Sequence, residues 1–198
     1  MKNLFENAKD FEKYIYYKEY NKNALIFLEG EQCRNVCIVK KGEISITTST
    51  YDSLVEINNL KENEIFGDSL IFSTDNRYLG SIMAVKDTTL CIISKDNWLK
   101  LLENKEILKN YLEIVSNKVF KIQSKVKILS QKSIREKILF YLITESKRIN
   151  KKTIRIKSKE SLALFLNVPR PSLSRELIKL KDEGIIDFDR YSITLLDK

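Results

Sequence analysis

Ser158–Gly184 reads SKESLALFLNVPRPSLSRELIKLKDEG, and its periodicity predicts two helices joined by a short turn. Leu162, Ala163, Leu166 and Val168 supply the apolar side of the first helix. Leu173, Leu177, Ile178 and Leu180 recur at spacings of four, one and two, and are expected to line one stripe of the second. Pro169 and Pro171 flank the start of that helix, where a missing N–H is tolerated. Gly184 follows its last turn, where a left-handed cap is expected. Ser158 is placed to N-cap the first helix, with Glu160 favourable to its dipole. Near the start of the second helix stand Arg170, Ser172, Ser174 and Arg175. These donors suit base edges and phosphates, on a rod that fits the DNA major groove. A surface αα-hairpin with solvated arginines would share this pattern, so the flanking residues have to separate the two readings.

Beyond the hairpin, Ile185-Ile186-Asp187 and Ser192–Leu196 read as two short strands around a polar turn, Phe188–Tyr191. VPRPSLSRELIKLKDEGII (Val168–Ile186) followed by ITLLD (Ile193–Asp197) resembles the winged-helix DNA-binding domain of the Crp/Fnr (catabolite activator) family of bacterial transcription regulators, over about forty residues. That resemblance implies a homodimer on palindromic double-stranded DNA, with RNA polymerase and an unknown small-molecule effector as further partners. It places Arg170 and Arg175 at positions that contact DNA in the family, the later one commonly reading a base. Ser172 and Ser174 are shorter and suit phosphate.

Charge is distributed in agreement with this. Residues 1–117 carry 15 Lys+Arg against 18 Asp+Glu, and residues 118–198 carry 20 against 9. A basic C-terminal part on a near-neutral body is the footprint of a polyanion-binding module. The 198 residues, 43% hydrophobic and 31% charged, suit one or two globular domains. No apolar run approaches the ~18 residues of a membrane span, and Met1–Tyr20 lacks the apolar stretch of a signal peptide. No membrane partner and a cytoplasmic location are expected.

The chain has no His. This removes Ser-His-Asp and Cys-His catalysis, most zinc sites and His-ligated haem. Cys33, Cys37 and Cys91 are one short of an all-cysteine iron–sulfur set. No metal, no cofactor and no enzymatic activity are expected. Cys37 and Cys91 lie in apolar strand-like runs and suit packing, whereas Cys33, in a polar stretch, is the better candidate for a reactive thiol.

Upstream, residues 3–13 can form a short helix with Leu4, Phe5, Ala8 and Phe11 on one side. From about Tyr14 to Ser94 the period is two, in short runs broken by turn signals such as Glu29-Gly30-Glu31, Lys41-Gly42, Tyr51-Asp52-Ser53 and Lys86-Asp87. Many short strands predict an antiparallel sandwich or barrel. IFLEGEQCRNVCIVKKGEISI (Ile26–Ile46) resembles the opening of the cyclic-nucleotide-binding β-roll. Members of that group that bind the nucleotide have Phe-Gly-Glu and, further on, Arg-Ser or Arg-Thr. The turn and the arginine hold phosphate, and the glutamate accepts from the ribose hydroxyl. The corresponding segment here, IFGDSLIFSTDNRYLGSIMA (Ile65–Ala84), keeps Phe66 and Gly67 but has Asp68 for the glutamate, with Tyr78 and Leu79 at the arginine and serine positions. Arg77 comes one residue early and faces the opposite side of an extended strand unless a bulge shifts it. Phe66, Gly67, Asp68, Arg77, Tyr78 and Leu79 thus outline a degenerate effector pocket. It is expected not to take cyclic nucleotides and to be empty, filled by its own side chains, or used for another ligand.

Ser94 can N-cap a short helix to about Leu102, and a long helix follows over Lys105–Ser130, about 39 Å at ~1.5 Å per residue. Leu108, Leu112, Val115, Val119, Ile122, Val126 and Leu129 alternate at spacings of four and three, the seam of a paired helix. Tyr111, Ile114, Phe120, Ile128 and Leu108 offer apolar surface for packing on the roll instead, and both arrangements can coexist. Ser133-Ile134-Arg135-Glu136 fits a capping box that opens a helix to about Lys147, leaving Ser130–Lys132 as a hinge. The basic loop Lys147–Lys152 and a short strand, Thr153–Ile156, follow.

The fold expected is α+β: a cyclic-nucleotide-binding-like β-roll over 1–104, a dimerisation helix over 105–131 and a winged helix-turn-helix over 132–198. The function expected is a homodimeric, sequence-specific DNA-binding transcription regulator. The alternative is a small-molecule or redox sensor that acts without sequence-specific DNA binding.

Overall fold

The computed structural model describes residues 4–6, 8, 10–49 and 54–196, with the backbone alone at 54 and 55. It divides into two units, Met1–Ser116 and Asn117–Lys198. The first holds eight strands: β1 (Tyr16–Tyr20), β2 (Leu25–Phe27), β3 (Asn35–Lys41), β4 (Glu43–Ser49), β5 (Leu54–Lys61), β6 (Ile65–Phe66), β7 (Ser81–Ala84) and β8 (Thr88–Ser94). α1 (Lys95–Leu102) and α2 (Lys105–Leu129) follow, and α2 crosses the division. The second unit contains α3 (Ile134–Ile149), β9 (Thr153–Arg155), α4 (Lys159–Leu166), α5 (Arg170–Asp182), β10 (Ile186–Phe188) and β11 (Ser192–Leu195).

Two four-stranded antiparallel sheets, in the orders β1-β8-β3-β6 and β2-β7-β4-β5, make the roll. Its central strands depart from the expected alternation. Val36 to Val39 on β3 and Leu90 to Ile93 on β8 are buried without a break. Such continuous apolar runs belong to strands covered on both faces. Here α1 covers the second face of both, with Trp98 and Leu101 buried in the same core. Ser94 N-caps α1 by accepting from the Asn97 N–H. At the turn after β6, Gly67 has φ +78°, and a Cβ there would lie 2.5 Å from the Asn35 carbonyl oxygen. Only glycine fits that turn.

Several expectations are corrected. No α-helix is formed among the described residues of 3–13. Among the described residues the segment has one 3₁₀ turn, Glu12–Tyr14, and Asp10 at φ 58° interrupts helical backbone. Phe5 and Phe11 nevertheless come together, stacked 4.2 Å apart. The expected turn at Tyr51-Asp52-Ser53 lies outside the described residues. Cys33 is buried like Cys37 and Cys91, not exposed as a reactive thiol should be. Its Sγ donates to the Asn35 and Gly67 carbonyls, and burial pushes the thiol's pKa up, away from the nucleophilic form. Burial likewise pushes Cys91 up to about 12. On α2, Ile107, Ile114 and Tyr111 pack into the roll core and Ile128 into the C-terminal core, whereas Phe120 faces solvent.

In the second unit the capping box is present in full. Ser133 Oγ accepts from the Glu136 N–H at 3.1 Å, and the Ser133 N–H donates back to Glu136 Oε2 at 3.3 Å. Ile138 and Leu142 of α3 are fully buried with Leu162, Ala163 and Leu166 of α4 and Leu173, Leu177 and Leu180 of α5. The expected inclusion of Ile178 in that stripe is wrong. It lies about 100° past Leu177 on the helix and is 52% exposed. β10, β11 and β9 form a three-stranded antiparallel sheet behind the helices, with Ile154, Ile186 and Ile193 turned into the core.

Candidate functional site

Local chemistry fixes α5. α4 ends at Asn167, whose φ of 51° breaks the helix, and the Val168 N–H turns back to the Ala163 carbonyl at 3.0 Å. Pro169 is the N-cap residue of α5, so Pro171 sits in the first turn, where no intrahelical N–H is needed. At the far end Gly184 takes φ 68°. The Ile185 N–H reaches the Leu180 carbonyl and the Gly184 N–H the Lys181 carbonyl, both hydrogen bonds of a Schellman cap.

At ~100° per residue, Pro171, Ser174, Arg175 and Ile178 fall within about 100° of one another, opposite the buried Leu173, Leu177 and Leu180. This is the outward stripe of α5. Arg170 flanks it on one edge and Ser172 on the other, so Arg170 and Arg175 stand about 140° apart. Both arginines are exposed and both serines half-buried. The Arg175 Nε donates to the Pro171 carbonyl at 3.4 Å, which lays its guanidinium along the stripe.

The first turn of α5 contains no acidic residue. Glu176, on the flank, lies 3.6 Å from Arg135 of α3. Arg135 also pairs with Glu183 through both guanidinium ends, Nη1 donating to Oε1 at 2.8 Å. α5 is thereby fastened along its length to the first turn of α3.

Sequence reasoning treated Phe188–Tyr191 as a polar turn only. Phe188 belongs to β10, and Arg190 and Tyr191 form an exposed tip. Asp189 organises that tip, its Oδ1 accepting from the Tyr191 and Ser192 N–H groups at 2.6 and 2.7 Å. These bonds hold its carboxyl below the usual carboxylate range. On the sheet behind, the Thr153 and Thr194 hydroxyls meet at 2.9 Å and Arg155 is exposed. Proline and isoleucine on the α5 stripe were also missed. A helical wheel centred on Leu173, Leu177 and Leu180 alone would have turned both outward.

The effector-pocket residues do not converge. Arg77 is exposed and donates from Nη1 to the Gly30 carbonyl at 2.8 Å, outside the roll, so it is removed from the pocket set. Leu79 is 75% exposed and is removed as well. The residue between them turns inward: Tyr78 is buried and stacks on Phe27 with centroids 4.7 Å apart. Its hydroxyl is beside the Cys33 thiol and is pushed far up in pKa, chiefly by burial. Phe66 is buried near Phe27. Asp68 is buried too, and its carboxylate accepts from the Tyr111 hydroxyl, which it and burial push up to about 12. A surface cleft of about 340 Å³ is lined by Phe27, Glu31, Gln32, Arg34 and Asn35.

Cyclic AMP and cyclic GMP are therefore expected to leave the melting temperature unchanged at millimolar concentration. Tyr78, at the position of the arginine in the nucleotide binders, is stacked on Phe27, and the Asp68 carboxylate accepts from Tyr111. A ligand at 100 times its Kd would add about 2.7 kcal/mol, a readily measured rise in a thermal melt. Such a rise with either nucleotide would refute the expectation.

Comparison with known proteins matches residues 17–105 to the cyclic nucleotide-binding domain and residues 136–198 to the Crp-like helix-turn-helix domain. The chain is 25% identical over 189 residues to the anaerobic regulatory protein of Bacillus subtilis (strain 168), covering 91% of this chain and 79% of that protein. Among solved structures, OCPA-complexed CprK superposes with a TM-score of 0.72 at 18% identity, covering 98% of this chain and 91% of that one. The catabolite activator protein of Thermus thermophilus superposes with a TM-score of 0.57 at 19% identity, covering 98% and 94%. Among the described residues no helix is long and apolar enough to cross a membrane, and no cluster of three or more metal-ligating side chains is found.

Proposed function

Because this chain belongs to the Crp/Fnr family of DNA-binding transcription regulators, we propose that it acts as a homodimer that reads a palindromic operator with Arg170, Ser172, Ser174 and Arg175. The observation that carries this reading is the capped, rigid α5, with Arg175 on its outward stripe in a unit where basic residues outnumber acidic ones by 20 to 9 over residues 118–198. In this reading 1–104 is the sensor, 105–131 the dimerisation helix and 132–198 the DNA-binding part. The partner helix would cover Leu108, Leu112, Val115, Val119, Ile122, Val126 and Leu129. The protein works by binding, in the cytoplasm, and is not an enzyme. RNA polymerase is the further partner of the DNA-bound form. The effector is a small molecule other than a cyclic nucleotide, for which the cleft beside Phe27 and Arg34 is large enough.

The test is binding to a duplex enriched by the chain from random DNA, followed over single-base variants and several salt concentrations. Arg175→Ala is expected to cost ~1–3 kcal/mol on the enriched site and to relax preference at one base pair per half-site. Lys151→Ala or Lys152→Ala should weaken all sequences alike and lower the salt slope. Uniform loss across all variants for Arg175→Ala would make it a phosphate contact and overturn the base-reading role.

A further inference from the structure

Resting on the DNA-binding reading, the geometry of α5 points to Ile178 as a specificity residue, which we propose contacts the 5-methyl group of thymine in the operator. An exposed isoleucine on a helix in a core-forming unit needs a reason. Its neighbours Leu177 and Leu180 are completely buried, yet Ile178 is 52% exposed and stands among Pro171, Ser174 and Arg175. The stripe that a major groove would receive therefore carries two apolar groups, Pro171 toward its start and Ile178 one turn beyond Ser174 and Arg175.

Major-groove edges offer one apolar feature, the thymine methyl. They also offer donors on cytosine and adenine, which a carboxylate can read. This stripe has no carboxylate in its first two turns. No acid occupies the first turn, and Glu176 lies off the stripe beside Arg135. α5 is thus equipped to select guanine through Arg175 and thymine through Ile178, and has no carboxylate with which to select cytosine there. The occupant is duplex DNA, as the surplus of Lys and Arg in this unit requires.

The experiment uses the full chain and the duplex it enriches from random DNA. Each thymine is replaced in turn by deoxyuridine, which keeps the hydrogen-bonding edge and removes the methyl. For the wild type, one thymine position per half-site should lose about fourfold in affinity on this change, equivalent to ~0.8 kcal/mol for one buried carbon. Ile178→Ala keeps a strong helix former at an exposed site, so the fold is retained. That variant should bind the thymine and deoxyuridine duplexes equally well. Arg175→Ala, in contrast, should keep the wild-type discrimination at that position. If Ile178→Ala discriminates thymine from deoxyuridine as the wild type does, or if the wild type discriminates at no position, the inference is overturned while DNA reading stands. If the chain enriches no sequence at all, the DNA reading fails, and this inference with it.

Discussion

Val119→Asp combined with Ile122→Asp is expected to leave the chain monomeric and to lower its affinity for a palindromic site by at least about a hundredfold, ~2.8 kcal/mol at 1.4 kcal/mol per tenfold. In α2, Ile107, Tyr111 and Ile114 belong to the roll core and Ile128 to the C-terminal core. Leu108, Leu112, Val119, Ile122 and Val126 are all exposed, Ile122 to 64%. Monomeric proteins rarely present so long an apolar stripe to water. Its spacing of four and three is that of knobs-into-holes packing with a like helix. In a two-fold pair the double variant would put four carboxylates into the seam, each losing water without gaining a partner. Because both positions are exposed in the single chain, folding of each protomer should be unaffected. Light scattering should report one chain's mass, and the mobility shift should disappear at protein concentrations that saturate the wild type. A dimer that survives both substitutions would place the interface elsewhere.

Leu177→Ala should destabilise the C-terminal unit by about 2–5 kcal/mol, the range for a buried leucine whose cavity relaxes only in part. The residue is completely buried among Leu173, Leu180 and Ile138. Of a domain stability of ~5–15 kcal/mol this is a large fraction, so DNA binding should fall with the fraction folded. Ile178→Ala, one residue later, should stay within about 0.5 kcal/mol of wild type because the side chain is exposed and fills no core space. Urea unfolding followed by circular dichroism compares the two directly. Equal midpoints would mean that the buried and exposed faces of α5 have been assigned the wrong way round. The pair also separates folding from reading: one variant loses the helix's seat, the other only what the helix presents.

The C-terminal unit was legible because its local signals agree with one another. Ser133 with Glu136, Ser158, the prolines around Arg170 and Gly184 each mark a boundary, and the structure uses every one of them. Where a signal stood alone it misled. Ile178 follows Leu177 in sequence and was counted with it, yet adjacent helical residues cannot share a narrow face. Cys33 sits between polar neighbours, Gln32 and Arg34, that face solvent while its own thiol points into the roll. Its N–H donates to the Asn76 carbonyl, a distant tie that its neighbours in sequence do not signal. The short N-terminal segment had helical spacing but is pinned by contacts far along the chain, such as the Asn110 amide donating to the Leu4 and Glu6 carbonyls. No local pattern announces such a tie. The pocket was half legible. The one-residue offset of Arg77 marks it as facing away, but nothing local announces that Tyr111, over forty residues later, takes the carboxylate of Asp68.

Arg135 has a mechanical consequence. An exposed ion pair adds little to the free energy of folding. Yet this guanidinium grips α5 at two places two turns apart, Glu176 and Glu183, from a position two residues past Ser133. Swivelling or tilting α5 against α3 would lengthen one of these ion pairs or the other, so the first turn of α3 and the second half of α5 are tied as one piece.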